Sequence, residues 1–201
     1  MAVPSKEFFA DARIKRIATL REHLARQLPD PRNLVLELGC GLGHFLTAYA
    51  AAHPEHTCLG IDLRTRRIER ALRKRDNATL HNLHFLKADA FELLQALPSV
   101  TRISNTFLLF PDPWPKKRHH KNRLIQPRLL DLLATHAAPT KTHLYFRSDH
   151  TDYLEWTRTE LEKHPAWTLL HNAPWPFEAE TYFSQRLPIH QSLVAVHTPE
   201  N

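Results

Sequence analysis

Between residues 33 and 171 the chain changes period repeatedly, from a short apolar run to a stretch with helical spacing and back again. Asn33–Leu38 reads as a buried strand, and Gly43 to about Ala52 as the helix that follows it. Thr57–Ile61 is a second strand with an Arg-rich helix behind it to about Lys74, and Leu83–Leu86 a third with a helix over Ala90–Leu97. Ile103–Phe110 is the fourth strand, and its helix runs over Leu124–Ala137 with Pro127 in the first turn. Leu144–Phe146 and a helix from about Thr151 to Lys163 complete the fifth unit, with strand candidates at Trp167–His171 and Ser192–His197. Repeated units of this kind specify an α/β fold with a mostly parallel, doubly wound sheet. No linker, internal repeat or low-complexity segment interrupts them, so residues 1–201 are expected to form one domain. Residues 1–30 form a basic N-terminal extension, helical from Phe8 to Leu28 and stopped by Pro29-Asp30-Pro31. Its Arg13, Lys15 and Arg16 are read either as cover for a ligand site or as part of a helix packed on the domain.

A chain of 201 residues can bury a full core. Its 27 Lys and Arg exceed 21 Asp and Glu, a formal net charge of +6 that favours acidic partners. Two cysteines, Cys40 and Cys58, stand at no metal-ligand spacing and fit a reduced cytoplasm. No long uncharged apolar run and no apolar signal core occur, so the expected protein is cytoplasmic, with no membrane association.

One crossover carries a glycine turn. In Leu34-Val35-Leu36-Glu37-Leu38-Gly39-Cys40-Gly41-Leu42-Gly43 a strand enters a helix through Gly39, Gly41 and Gly43. Glycines let the backbone turn tightly and approach a ligand, and the carboxyl end of an open α/β sheet is where ligands bind. The spacing is G-x-G-x-G rather than the dinucleotide G-x-G-x-x-G, since position 44 is His. Glu37, two residues before the first glycine, suits a cationic cofactor with an amino-acid tail better than a pyrophosphate. Asp62 ends the second strand, where a carboxylate accepts ribose hydroxyls, and Asp89 follows the third on the same edge. These features resemble the class I S-adenosylmethionine-dependent methyltransferases, which implies a Rossmann-like sheet of seven strands with an antiparallel last strand.

The densest chemistry lies in Phe110-Pro111-Asp112-Pro113-Trp114-Pro115-Lys116-Lys117-Arg118-His119-His120-Lys121. Two prolines restrict the backbone around Asp112 at the end of the fourth strand. An acid, an indole and a cluster of cations suit a polyanion carrying flat rings, and nucleic acid fits best. Trp114 is read as a base-stacking plate or as a lid anchor. His119 and His120 are read as solvated or phosphate-contacting, and no metal is expected. The arginines of the helix from Arg64 to Arg75, set around the apolar stripe of Ile68, Ala71 and Leu72, are read as a solvated face or, less readily, as a tRNA contact.

With this segment the match sharpens: the chain resembles the bacterial tRNA (guanine-N7-)-methyltransferases over about Leu34 to Val196. The family's P-D-P-W and following K-x-R-H-x-K run stand here at Pro111–Trp114 and Lys116–Lys121, and its T-D pair as Ser148-Asp149. Its T-x-[FY]-E-x-[RK] segment stands as Thr181-Tyr182-Phe183-Ser184-Gln185-Arg186. The resemblance implies methyl transfer from S-adenosyl-L-methionine to N7 of a tRNA guanosine, at the variable-loop position numbered 46. Asp112 would be catalytic and would also border the cofactor, held by Glu37, Gly39, Gly41, Gly43, Asp62 and Asp89. Trp114, Lys116, Arg118, Lys121, Asp149, Thr181 and Arg186 would hold the tRNA, with Arg123 adding a phosphate contact. A monomer or homodimer with no obligate protein partner is expected.

The chain departs from the family at Ser184, where the family has Glu, and at Asn122, which interrupts a basic pair. Glu178 and Glu180 are the nearest carboxylates to replace the missing one. Two further readings fit the same residues: a class I methyltransferase for another RNA or a small heterocycle, and a catalytically silent RNA-binding module.

Overall fold

The structure is a computed structural model and describes residues 6–28, 33–179 and 189–198. Helix α1 (Lys6–Gln27) precedes β1 (Leu34–Leu38), α2 (His44–Ala52), β2 (Thr57–Asp62) and α3 (Thr65–Asn77). Then come β3 (Leu83–Lys87), α4 (Ala90–Ala96), β4 (Ile103–Leu109), a 3-10 turn (Lys117–Asn122) and α5 (Pro127–Thr135). Strand β5 (Thr142–Ser148), α6 (Thr151–Lys163), β6 (Thr168–Leu170) and β7 (Gln191–His197) follow. Among the described residues the strands form one seven-stranded sheet, ordered β3-β2-β1-β4-β5-β7-β6. Strands β1 to β5 are parallel and β7 is antiparallel to both its neighbours, as the resemblance implies. The order reverses between β1 and β4, which leaves a crevice at their carboxyl ends. Among the described residues no helix is long and apolar enough to cross a membrane.

Strand residues alternate between two apolar layers, because successive side chains point to opposite faces. Leu34, Leu36 and Leu38 pack with Leu93 of α4, Leu129 and Leu133 of α5 and Leu154 of α6. Val35 faces the other way, with Phe45 and Tyr49 of α2 and Ile68 and Ala71 of α3. All five residues of β1 are buried, as a central parallel strand requires. Glu37 is the polar exception, on the face of Val35.

Several boundaries differ from the sequence reading by a few residues, among them both ends of β5, expected over Leu144–Phe146. Helix α5 begins at Pro127 rather than Leu124, because the residue before a proline is pushed to extended geometry and Gln126 sits at φ −149°, ψ 159°. Strand β4 ends at Leu109, since Phe110 turns to φ 51°. The basic run forms a 3-10 turn of its own. Helix α1 packs on the domain: Arg16 pairs with Glu92 of α4, and Arg13 donates to Gln95 at 3.1 Å. Arg13 and Arg16 therefore tie one helix to another, Arg16 with much of its side chain still in solvent, and Lys15 is exposed.

Gly60 shows how closely the α3 face is packed. A Cβ there would stand 2.6 Å from the Phe85 ring and 3.0 Å from the Cys40 Cβ, both buried. Gly60→Ala is expected to cost about 1–3 kcal/mol through overpacking, read from the midpoint of urea unfolding. An unchanged midpoint would show that the Phe85 ring yields freely.

Candidate active site

Five parallel strands end at one edge, and each carries an acid there. In the register Glu37 pairs with Gly60 on one side and Phe107 on the other, and Asp62 pairs with Lys87. Glu37 is the penultimate residue of β1 and Asp62 the last of β2, with Asp89, Asp112 and Asp149 just past β3, β4 and β5.

The first turn is built from left-handed glycines. Gly39 and Gly41 have φ 81° and 55°, and a Cβ on either would meet nothing within 4 Å. Their freedom serves the turn and leaves open space over the backbone. Amides of Gly39 and Cys40 donate to the Ile61 carbonyl at 2.9 and 2.8 Å, locking the turn to β2. Gly43 differs: a Cβ there would come within 2.8 Å of Phe85 and Ala71, so this glycine lets α2 pack against its neighbours.

Beneath the turn lies Glu37, 3% exposed. Its Oε2 has no hydrogen-bond partner among the described residues, and burial pushes its carboxyl up to about 8. An orphaned, desolvated carboxylate is costly unless a cation reaches it. Asp62 accepts from three donors: Oδ1 from the Arg64 amide at 2.8 Å, and Oδ2 from the Gly41 amide at 3.2 Å and Arg67 at 3.1 Å. Arg67 is thus an arginine of the α3 surface aimed at the site, which the sequence reading assigned to solvent. Asp89 caps α4, accepting from the amides of Phe91 and Glu92 at 2.9 and 3.1 Å.

Asp112 projects to solvent in a segment flanked by two aromatic residues at positive φ, Phe110 at 51° and Trp114 at 46°. Bulky residues rarely adopt that region, and each costs on the order of 1–3 kcal/mol. Arg123 holds the segment in place. Its guanidinium is buried, donates from Nε to the Pro113 carbonyl at 2.9 Å and pairs with Asp152. It also stacks over Tyr153 and Trp156 at 4.9 and 5.3 Å. The expected phosphate contact of Arg123 is therefore wrong, since the chain's own fold engages this guanidinium on every side. A buried cation must be paired, and Asp152, distant in sequence, does that.

The basic run divides accordingly. Lys116, Lys117, Arg118 and Lys121 stay exposed. His120 turns inward, 3.6 Å from Asp152 and edge-on to Trp156, which corrects its reading as a solvated group. Trp114, 36% exposed, meets His119 edge-on at 5.9 Å and keeps part of its ring open. Ser148, the last residue of β5, is buried and accepts from the His150 amide, while Asp149 just past it faces solvent.

Thr181 and Arg186, like Ser184 and Glu180, lie outside the described residues. Glu178, one of the two carboxylates weighed as replacements for the missing acid, makes a two-pronged pair with Arg147 at 2.8 and 2.9 Å. Arg147 also lies 4.0 Å over the Trp175 ring, a contact no periodicity announces.

The family model described as "Putative methyltransferase" matches residues 31–186. A tRNA (guanine-N(7)-)-methyltransferase of Treponema pallidum subsp. pallidum is 36% identical over 156 residues, 78% of this chain and 62% of that protein. One of Azorhizobium caulinodans is 35% identical over 173 residues, 80% of this chain and 74% of that protein. The chain spans 62% of the first relative's length, under two thirds of it. The fold is shared with a 16S rRNA (adenine(1408)-N(1))-methyltransferase of Catenulisporales acidiphilia, solved with SAM, at TM-score 0.59 and 17% identity over 90% of this chain and 92% of that one. Sheet order, glycine turn and relatives agree, and the chain belongs to the tRNA (guanine-N(7)-)-methyltransferase family.

Proposed function

We propose that this chain transfers the methyl group of S-adenosyl-L-methionine to N7 of a guanosine in tRNA, at the variable-loop position numbered 46, in the cytoplasm. One observation carries the reading. Exposed Asp112, beside a cationic ridge, follows the strand next to the one that bears Glu37, whose Oε2 is buried and unpartnered.

The residues present fit the cofactor. The unpartnered oxygen of Glu37 suits a positively charged group, and the open space over Gly39 and Gly41 lets a ligand lie against the backbone. Asp62 has the geometry to accept ribose hydroxyls, in exchange for the contact it makes with Arg67. When bound, S-adenosylmethionine supplies an electrophilic sulfonium methyl.

Guanine N7 carries an in-plane lone pair and no proton, so no strong base is needed and alignment supplies much of the rate. Asp112 is placed to accept from the guanine edge's N–H donors or to stabilise the positive charge that develops on the purine. Trp114 offers a stacking face worth roughly 1–3 kcal/mol to a base. Lys116, Arg118 and Lys121 meet phosphates without reading sequence, while Asp149, Thr181 and Arg186 are assigned to the RNA from the family pattern alone.

Transcribed tRNA with guanosine at position 46 is expected to yield 7-methylguanosine on digestion, and tRNA with adenosine there none. Product found only in another RNA would overturn the reading. Asp112→Ala is expected to lower kcat/KM by about 100-fold or more with cofactor binding by calorimetry unchanged. Full activity in that variant would remove the role given to Asp112.

Combined Lys116→Ala, Arg118→Ala and Lys121→Ala is expected to flatten the dependence of log affinity on log salt by roughly two to three, about one per lost phosphate contact. An unchanged slope would place the RNA elsewhere.

The raised value of Glu37 predicts a pH effect on the unliganded protein. A carboxyl raised from 4.5 to about 8 favours the folded state while protonated, fully below 4.5 and progressively less as pH rises through about 8. The thermal midpoint is expected to fall between about pH 6 and pH 8.5, and Glu37→Gln to reduce that slope. Identical slopes in both proteins would show that Glu37 does not titrate there.

A further inference from the structure

At the opposite edge of the sheet, the turn between α2 and β2 brings His53, Glu55 and His56 together. Their ligand-competent atoms all lie within 4.8 Å of one another. Nδ1 of His53 is 3.4 Å from Glu55 Oε1, and Nε2 of His56 is 3.8 Å from the same oxygen. Donors on a tetrahedral zinc ion stand roughly 3.3 Å apart, given Zn–N and Zn–O bonds near 2.0–2.2 Å. The two imidazoles are 25° from parallel with centroids 5.3 Å apart. Two rings whose nitrogens share one ion at a tetrahedral angle would stand about 5.2 Å apart on the same bond lengths.

The turn is held in this shape without any ion. Asn82 Nδ2 lies 3.0, 3.1 and 3.0 Å from the carbonyl oxygens of Ala50, His53 and His56. The His53 amide donates to the Tyr49 carbonyl at 3.0 Å, and the His56 amide to the His53 carbonyl at 3.1 Å. The Tyr49 hydroxyl lies 3.2 Å from His56 Nδ1, which leaves Nε2 for Glu55 and its surroundings. A hydrogen bond to the distal nitrogen is the support that metal-bound imidazoles have, since it fixes both tautomer and ring direction. Phe177 lies edge-on to His53 at 5.8 Å and to Tyr49 at 5.4 Å, so one wall of the cluster is apolar.

We propose that His53, Glu55 and His56 bind a divalent ion of the zinc class, with water completing the coordination. Two imidazoles and one carboxylate suit zinc and its neighbours better than calcium or magnesium. The ion would join the end of α2 to the start of β2 through three protein ligands, with water in the open position. The site stands apart from the methyl-transfer edge, because β2 runs from Thr57 to Asp62 and five steps of strand span about 16 Å. The sequence reading expected no metal, and a His-x-x-His pair with an intervening Glu is closer-set than the usual zinc spacings.

The test is zinc chloride titrated by calorimetry into the full chain after dialysis against a chelator, with cobalt in place of zinc for an absorption spectrum. One zinc per chain with micromolar affinity and a raised thermal midpoint are expected. His53→Ala and His56→Ala should each weaken binding about tenfold or more, and Glu55→Gln should do so without disturbing folding, because Glu55 is 62% exposed. His81→Ala, outside the cluster, should bind as the parent does, which controls for the other histidines among the 15. No binding in the micromolar range, or undiminished binding by Glu55→Gln and the His53→Ala, His56→Ala double variant, would overturn the proposal.

Discussion

Parallel strands can pair only after the chain has returned to the edge where it started, so β1 to β5 all finish at the same edge of the sheet. The candidate active site depends on that. Glu37, Asp62, Asp89, Asp112 and Asp149 are far apart in sequence, yet each sits at or just past the end of one of these strands. The continuous pairing of β3, β2, β1, β4 and β5 turns that spread into a row. The five environments differ: Glu37 is buried with an orphaned oxygen, Asp62 accepts from three donors, Asp89 caps a helix, and Asp112 and Asp149 face solvent.

A second constraint keeps the Asp112 segment on that row. Phe110 and Trp114 both occupy left-handed backbone, a conformation that persists only where surrounding contacts over-determine it. Arg123 supplies such a contact through the Pro113 carbonyl, and Asp152, Tyr153 and Trp156 of α6 supply the pairing and stacking that a buried guanidinium requires. Helix α6 thus positions, through Arg123, an acid that follows a strand much earlier in the chain.

The positive charge of the chain is likewise divided by the fold. Arg16, Arg67, Arg123 and Arg147 are spent on carboxylates of the same chain, Glu92, Asp62, Asp152 and Glu178. Lys116, Lys117, Arg118 and Lys121 stay in solvent, and they are contiguous beside Trp114. Each such pair cancels within the net charge, so the total does not say where a polyanion can dock, and the local run does.

The alternation of apolar runs and helical spacing sufficed for the element order, the parallel sheet and most boundaries, because burial on both faces of a strand and on one face of a helix leaves distinct periods in sequence. The glycine turn and the acids at strand ends were legible for the same reason, being tied to positions in a repeating unit. The roles of Arg123, Arg67 and Arg147, the pairing of Glu178 and the convergence of His53, Glu55 and His56 were not. Each depends on a side-chain direction or on a partner from another element, and an arginine bound for the interior reads like one bound for solvent. The sequence by itself determined which residues end the strands; only the tertiary structure decided which charges are spent inside the fold and which remain for a ligand, because pairing a buried charge requires a neighbour that no local pattern specifies.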